Sequence, residues 1–159
     1  MTEGSTRKLV GVTLDQGSVA RRGADVEHER KVAIFDLLEE NHFSPIGDHD
    51  GPYHLHLGIE ENRLVFDIRD SFVAPLGKII LALSPFRTII RDYLAVCDSY
   101  QMAIKSASPQ KIEAIDMGRR GLHNQGSELL IERLKGKIEI DFDTARRLFT
   151  LINVLLMKG

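Results

Sequence analysis

Residues 53–69 read Tyr53-His54-Leu55-His56-Leu57-Gly58-Ile59-Glu60, then Glu61-Asn62, then Arg63-Leu64-Val65-Phe66-Asp67-Ile68-Arg69. Alternate side chains of a strand point to opposite faces, so Tyr53, Leu55, Leu57 and Ile59 form one apolar set, and Leu64, Phe66 and Ile68 form another. A two-residue turn at Glu61-Asn62 pairs Ile59 with Leu64, Leu57 with Phe66 and Leu55 with Ile68. Both apolar sets then fall on one face. A slip of one residue would turn one of them outward, so the pattern predicts a hairpin of fixed register.

Working outward from this hairpin, residues 78–83 (Lys-Ile-Ile-Leu-Ala-Leu) are apolar on both sides, which predicts a strand in a central position. Ser84-Pro85 then gives a helix cap followed by proline at the first helical position. Phe86, Ile89, Ile90, Tyr93, Cys97, Tyr100 and Ile104 mark one face of a long helix. Ser108-Pro109 repeats the start signal, and two helices joined by so short a turn form an antiparallel pair. The second carries Ile112, Ile115, Leu122, Leu129, Leu130 and Leu134, and is interrupted by Gly118, Gly121 and Gly126. Residues 137–142 predict another strand. Asp143 is the expected cap of a final helix whose Leu148, Phe149, Leu151, Ile152, Val154, Leu155 and Leu156 cover most of its circumference. Such a helix is buried, inside the domain or in an interface between copies.

Toward the N-terminus, Leu9, Val10 and Val12 predict a strand, and residues 16–23 a loop carrying Arg21 and Arg22. Asp25 is the expected cap of a helix whose apolar face is Val26, Ala33, Ile34, Leu37 and Leu38. That helix ends before Ser44-Pro45. Residues 1–6 read as untethered. The sum is one α+β domain over residues 1–159, a mixed, largely antiparallel sheet of about five strands with a central hairpin, packed by about four to five helices.

A formal net charge of -2 argues against a dedicated nucleic-acid binder, which collects a basic excess on one face. The single cysteine, Cys97, excludes an internal disulfide; on the apolar stripe of its helix it reads as a structural thiol. No secretory signal and no apolar run long enough for a membrane helix is present, so the expected location is the cytoplasm. Gly-x-Ser-x-Gly, His-Glu-x-x-His, P-loop and dinucleotide motifs are all absent, and no cofactor is expected.

Two constellations bear on chemistry. His54 and His56 share the polar face of the hairpin, with Asp67 opposite His56 and Arg69 opposite His54. Two imidazoles and a carboxylate suit a divalent transition metal, and with a bound water they would make a metal-dependent hydrolase. Asp48, His49 and Asp50 lie just upstream as further ligands. Arg69 opposes this reading, because it brings a fixed positive charge toward the cation. The second constellation is Asp116-Met117-Gly118-Arg119-Arg120-Gly121-Leu122-His123-Asn124-Gln125-Gly126-Ser127-Glu128. Three glycines in a helix imply either close approach of a neighbour or a break with a restart capped at Ser127. A break would free backbone N–H groups beside Arg119, Arg120, His123 and Asn124, a set that grips an anion or an acidic partner. His123 as the acid or base of a phosphate-handling enzyme ranks last, since no nucleophile accompanies it.

The run from Ser84-Pro85-Phe86-Arg87 through Asp116–Asn124 to the 137–143 strand resembles, over nearly the whole chain, an uncharacterised alphaproteobacterial protein family, number two-six-two in the UPF series. The resemblance implies no assigned activity and carries over no catalytic residue. The reading these observations favour is a non-enzymatic binding or regulatory module that self-associates. Its contact site is Arg119, Arg120, His123, Asn124 and Ser127, and its partner is a protein or a small anionic ligand. The hydrolase on His54, His56 and Asp67 is the alternative.

Overall fold

The computed structural model describes residues 5–15 and 24–157, with residues 24–26 by backbone only. The hairpin forms as its alternation dictates. Strand β3 (Tyr53–Glu60) pairs antiparallel with β4 (Arg63–Arg69), with Ile59 opposite Leu64, Leu57 opposite Phe66 and Leu55 opposite Ile68. Glu61 and Asn62 both take positive φ (48° and 69°), the left-handed pair that matches the twist of a two-residue hairpin turn.

Strand β1 (Leu9–Leu14) adds to the β3 side in parallel, and β5 (Pro75–Ala82) adds antiparallel to β4, giving the order β1-β3-β4-β5. Thus β5 is an edge strand, not a central one. Its two apolar sides face different surroundings: Leu81 is in the core, while Ile80 on the other face is 49% exposed. Two short strands, β2 (Phe43–Pro45) and β6 (Ile138–Ile140), make a separate antiparallel ribbon. The last strand therefore pairs outside the main sheet.

Four helices stand among the described residues: α1 (Ala24–Glu39), α2 (Ser84–Ser106), α3 (Pro109–Leu134) and α4 (Phe142–Leu156). The α+β mixture is as the sequence implies, with corrections at three helix starts. Asp25 lies within α1 and does not precede it. Ser84 is the first residue of α2, behind an N-cap at Leu83 that has no side-chain bond. Asp141, two residues ahead of Asp143, caps α4 by accepting from Thr144 N at 2.8 Å. Ser108 caps α3 as expected, accepting from Lys111 N. The Arg21–Arg22 loop lies outside the described residues, while Thr6 donates its hydroxyl to the Asp50 carbonyl at 2.6 Å.

One face of the sheet, with Leu55, Leu57, Leu64, Phe66, Ile68 and Leu81, shares a single core with the helices. Helix α4 lies in the middle of the helical layer, packed on α1 and α3, and α3 packs in turn on α2. Nine of the fifteen α4 residues are buried. Its apolar circumference is thus covered from inside the chain, and does not by itself require a second copy. Among the described residues, no helix is long and apolar enough to cross a membrane. The opposite face of the sheet carries His54, His56, Glu60, Arg63, Arg69 and Lys78, all partly or fully exposed.

Candidate functional site

The glycine-bearing segment lies in α3, which runs unbroken from Pro109 to Leu134. Its amides are bonded into the helix, so there is no restart at Ser127 and no free N–H group for an anion. That part of the expectation is overturned. The three glycines differ in their surroundings. A Cβ on Gly126 would lie 2.1 Å from Cζ of Phe149, so this glycine lets the α4 ring rest on the α3 backbone. A Cβ on Gly118 or Gly121 would meet nothing within 4 Å.

Helical periodicity then sorts the remaining residues onto two sides. Arg119, His123 and Ser127 follow the inner side at spacings of four. Ser127 is fully buried and donates to the His123 carbonyl at 2.8 Å. His123 is 8% exposed, edge-on to Phe149 (5.2 Å between centroids) and to Tyr93 of α2 (5.3 Å). Its Nε2 lies 2.8 Å from the Thr150 hydroxyl. That hydroxyl donates to the Arg146 carbonyl at 3.2 Å, so the imidazole donates from Nε2. Its Nδ1 is a buried acceptor with no hydrogen-bond partner among the described residues. Burial, with the nearby charges of Arg146 and Arg119, lowers the His123 pKa to about 4. The ring is therefore uncharged at neutral pH and works as a packing residue.

Arg119 is engaged with Asp116 (3.0 Å from Nε and 2.5 Å from Nη2 to Oδ1), and its guanidinium lies over the Tyr100 ring at 5.3 Å. The Arg119 hydrogen bond holds the Asp116 carboxyl below the usual range. Arg120 and Asn124 sit toward the outer side. Arg120, 53% exposed, reaches Asp116 at 3.1 Å and Glu113 at 3.6 Å. The predicted residues are thus divided, with Arg119, His123 and Ser127 inward and Arg120 and Asn124 toward solvent. Sequence reading missed the groups that surround the inner set: Tyr93 and Cys97 of α2, both with pKa raised by burial, and Glu29 of α1, likewise raised. The spacing 123-127-130-134, which ends in two core leucines, was the available sign that His123 points inward.

The outer face of α3 has its own pattern. Lys111, Ala114, Gly118, Gly121, Gln125 and Glu128 recur at alternating steps of three and four, and every one is exposed. Such spacing keeps one stripe facing a partner helix.

The hairpin face tests the metal reading. His56 stands opposite Asp67 and His54 opposite Arg69, as the register requires. However, Asp67 Oδ2 accepts from Arg69 Nη2 at 2.8 Å, and His56 Nδ1 is hydrogen-bonded to the Thr13 hydroxyl at 2.7 Å. His54 lies against Gly11, where its ring occupies the space of a side chain. Among the described residues, no group of three His, Cys, Asp or Glu side chains could hold a metal ion. The metal set of His54, His56 and Asp67 is not assembled, because the arginine already takes the carboxylate.

Residues 6–158 match the model of the Uncharacterised protein family (UPF0262). The chain belongs to that family. The UPF0262 protein of Rhodopseudomonas palustris (strain BisB5) is 59% identical over 155 residues, covering 98% of this chain and 95% of its own length. That of Bradyrhizobium sp. (strain BTAi1 / ATCC BAA-1182) is 59% identical over 155 residues, 97% and 92% of the two chains. The UPF0262 protein of Azorhizobium caulinodans is 60% identical over 154 residues, 96% and 95%. No solved structure matches.

Proposed function

We propose that this UPF0262 protein is a non-enzymatic cytoplasmic binding module that pairs with a second copy through the outer face of α3. The observation that carries this reading is the pair Gly118 and Gly121, exposed on an unbroken helix with open space before them. Each glycine destabilises a helix by roughly 1 kcal/mol relative to alanine, and nothing among the described residues needs these two small. Close approach of another helix gives them a use. The stripe is also self-complementary. An antiparallel two-fold between residues 118 and 121 sets each Gly118 against the second copy's Gly121, and each Lys111 against the second copy's Glu128. Met117, 60% exposed, flanks this line and would be covered. Arg120 and Asn124 lie at its rim.

Replacing both glycines by glutamine tests the reading without endangering the fold, because their Cβ positions are open. Gly118→Gln with Gly121→Gln is expected to stabilise the single chain by about 1–2 kcal/mol, measured in urea. The same variant is expected to lose self-association by sedimentation. A wild-type chain that sediments as a monomer at every concentration ends this proposal.

A further inference from the structure

A sheet leaves a row of main-chain N–H and C=O groups open at each edge unless something closes it. The two edges of this sheet differ. At β1, Asn41 closes the edge beside Leu9: its Oδ1 accepts from the Leu9 N–H at 2.7 Å, and its Nδ2 donates to the Leu9 carbonyl at 3.1 Å. Strand β5 has β4 on one side and no strand on the other. The Leu83 N–H donates to the Asn62 carbonyl at 3.1 Å, which fixes the alternation of the antiparallel pair. Leu81 and Ile79 turn their main-chain groups to β4, so Lys78, Ile80 and Ala82 turn theirs outward. Those outward groups have no hydrogen bond among the described residues.

The side chains along this edge are those of a contact surface. Only Leu81 of β5 is buried, and Ile80 stands half exposed between Lys78 and Ala82. At the near end, the β4–β5 turn is held by Asp70, whose Oδ1 accepts from the N–H groups of Phe72 and Ala74 at 2.9 Å each. That turn keeps Val73 at φ 67°, a conformation β-branched residues rarely adopt, and holds Phe72 89% exposed. Held strain of this kind collects where a protein clamps something. Charge then decides what kind of strand fits. Asp67 faces Lys78 in register but is bonded to Arg69 at 2.8 Å, and the Lys78 ammonium has no ion pair among the described residues. A lysine on an edge opposes pairing with a second β5, which brings another Lys78. A carboxylate at the neighbouring position turns the same charge into an attraction.

We infer that the outer edge of β5 takes an extended, apolar and acidic segment of a partner protein as an added strand. Its main chain bonds reciprocally to Lys78, Ile80 and Ala82. It sets an apolar side chain beside Ile80 and a carboxylate beside Lys78, and its other face covers the flank of Ile79 and Leu81. Main-chain pairing supplies the affinity of such a contact, and the alternate side chains its selectivity. The contact is separate from the α3 stripe and does not depend on it.

The test uses the purified full chain and the blocked peptide acetyl-Thr-Val-Ile-Val-Glu-amide, which in antiparallel pairing sets its Ile beside Ile80 and its Glu beside Lys78. In the free chain the amides of Lys78, Ile80 and Ala82 are expected to exchange rapidly with solvent, and those of Ile79 and Leu81 slowly. Peptide at millimolar concentration is expected to slow the first three by about tenfold. N-methylation of the peptide's Ile removes the N–H aimed at the Ile80 carbonyl and is expected to abolish this protection. A peptide with Lys in place of Glu is expected to bind about threefold to tenfold more weakly, and Lys78→Glu, at an exposed position, should reverse that preference. The inference is overturned if the peptide leaves the three amides unprotected, if the N-methylated peptide protects them equally, or if Lys78→Glu still prefers the Glu peptide. Protection of these amides that rises with protein concentration alone would assign the edge to a second copy, and overturns it as well.

Discussion

Phe149→Ala is expected to remove about 3–5 kcal/mol of stability, the largest single loss in this chain. The ring is fully buried at the meeting of three elements, edge-on to His123 of α3 and to Tyr93 of α2. It also rests on the α3 backbone at Gly126, so the converse change acts on the same contact. Gly126→Ala places a methyl 2.1 Å from Cζ, and a ring enclosed on all sides has nowhere to turn. Overpacking of this kind costs about 1–3 kcal/mol, even though alanine is the better helix former. The two changes should compensate, because the space left by the ring receives the methyl. The double variant is expected to lose less than the sum of the single losses, by about 1 kcal/mol or more in a urea-unfolding cycle. Strict additivity would show that Phe149 and Gly126 do not share this contact.

The second large effect is on acid stability. In the unfolded chain His123 takes up its proton near pH 6.5, whereas in the folded chain the ring stays unprotonated until about pH 4. Between those values the unfolded state binds more protons, so stability rises with pH. The contribution is complete above pH 6.5, is lost as pH falls toward 4, and changes no further below that. The groups that face the ring set this sign: Tyr93 and Phe149 keep water out, and Arg119 and Arg146 oppose a further positive charge. Over the window the loss amounts to about 2–3 kcal/mol. His123→Leu removes the titration while keeping an apolar fit in the aromatic cage. The wild-type minus variant difference in unfolding free energy should therefore shrink by that amount from pH 7 to pH 4. Parallel profiles for the two proteins would show that the imidazole is not shielded from protonation.

How far the sequence could be read follows from which forces are local. The β3–β4 register was legible because period-two alternation and a two-residue turn lie within seventeen residues of one another, and every expected pair formed. Strand β2 left no such trace. It is three residues long, ends in Pro45 and owes its existence to Ile138–Ile140, far along the chain. The edge position of β5 was hidden for a similar reason, since neighbours in a sheet are chosen by topology and a strand's own residues do not reveal which side is open.

For the candidate site, Arg119, Arg120, His123, Asn124 and Ser127 were read as one contact site for an anion or a partner, whereas Arg119, His123 and Ser127 turn inward. The cost of a helical glycine is the same whether the helix breaks, yields to a neighbour or faces empty space. Only the approach of Phe149 separates Gly126 from Gly118 and Gly121. In the same way, the metal reading had its geometry right and failed on occupancy, because Arg69 lies close enough to claim Asp67.

The β2–β6 ribbon joins segments far apart in the chain, and such pairing is expected to form late in folding. His42 N donates to the Thr144 hydroxyl, and the His42 ring meets Glu139, contacts that span 102 and 97 residues of chain. Closing so long a loop costs entropy before any contact repays it, and chains with high contact order fold slowly for that reason. The α2–α3 hairpin, whose helices adjoin in sequence, can form early without completing the core. Rapid appearance of helical signal followed by a slower fixing of the aromatic residues is the kinetic signature of that clasp.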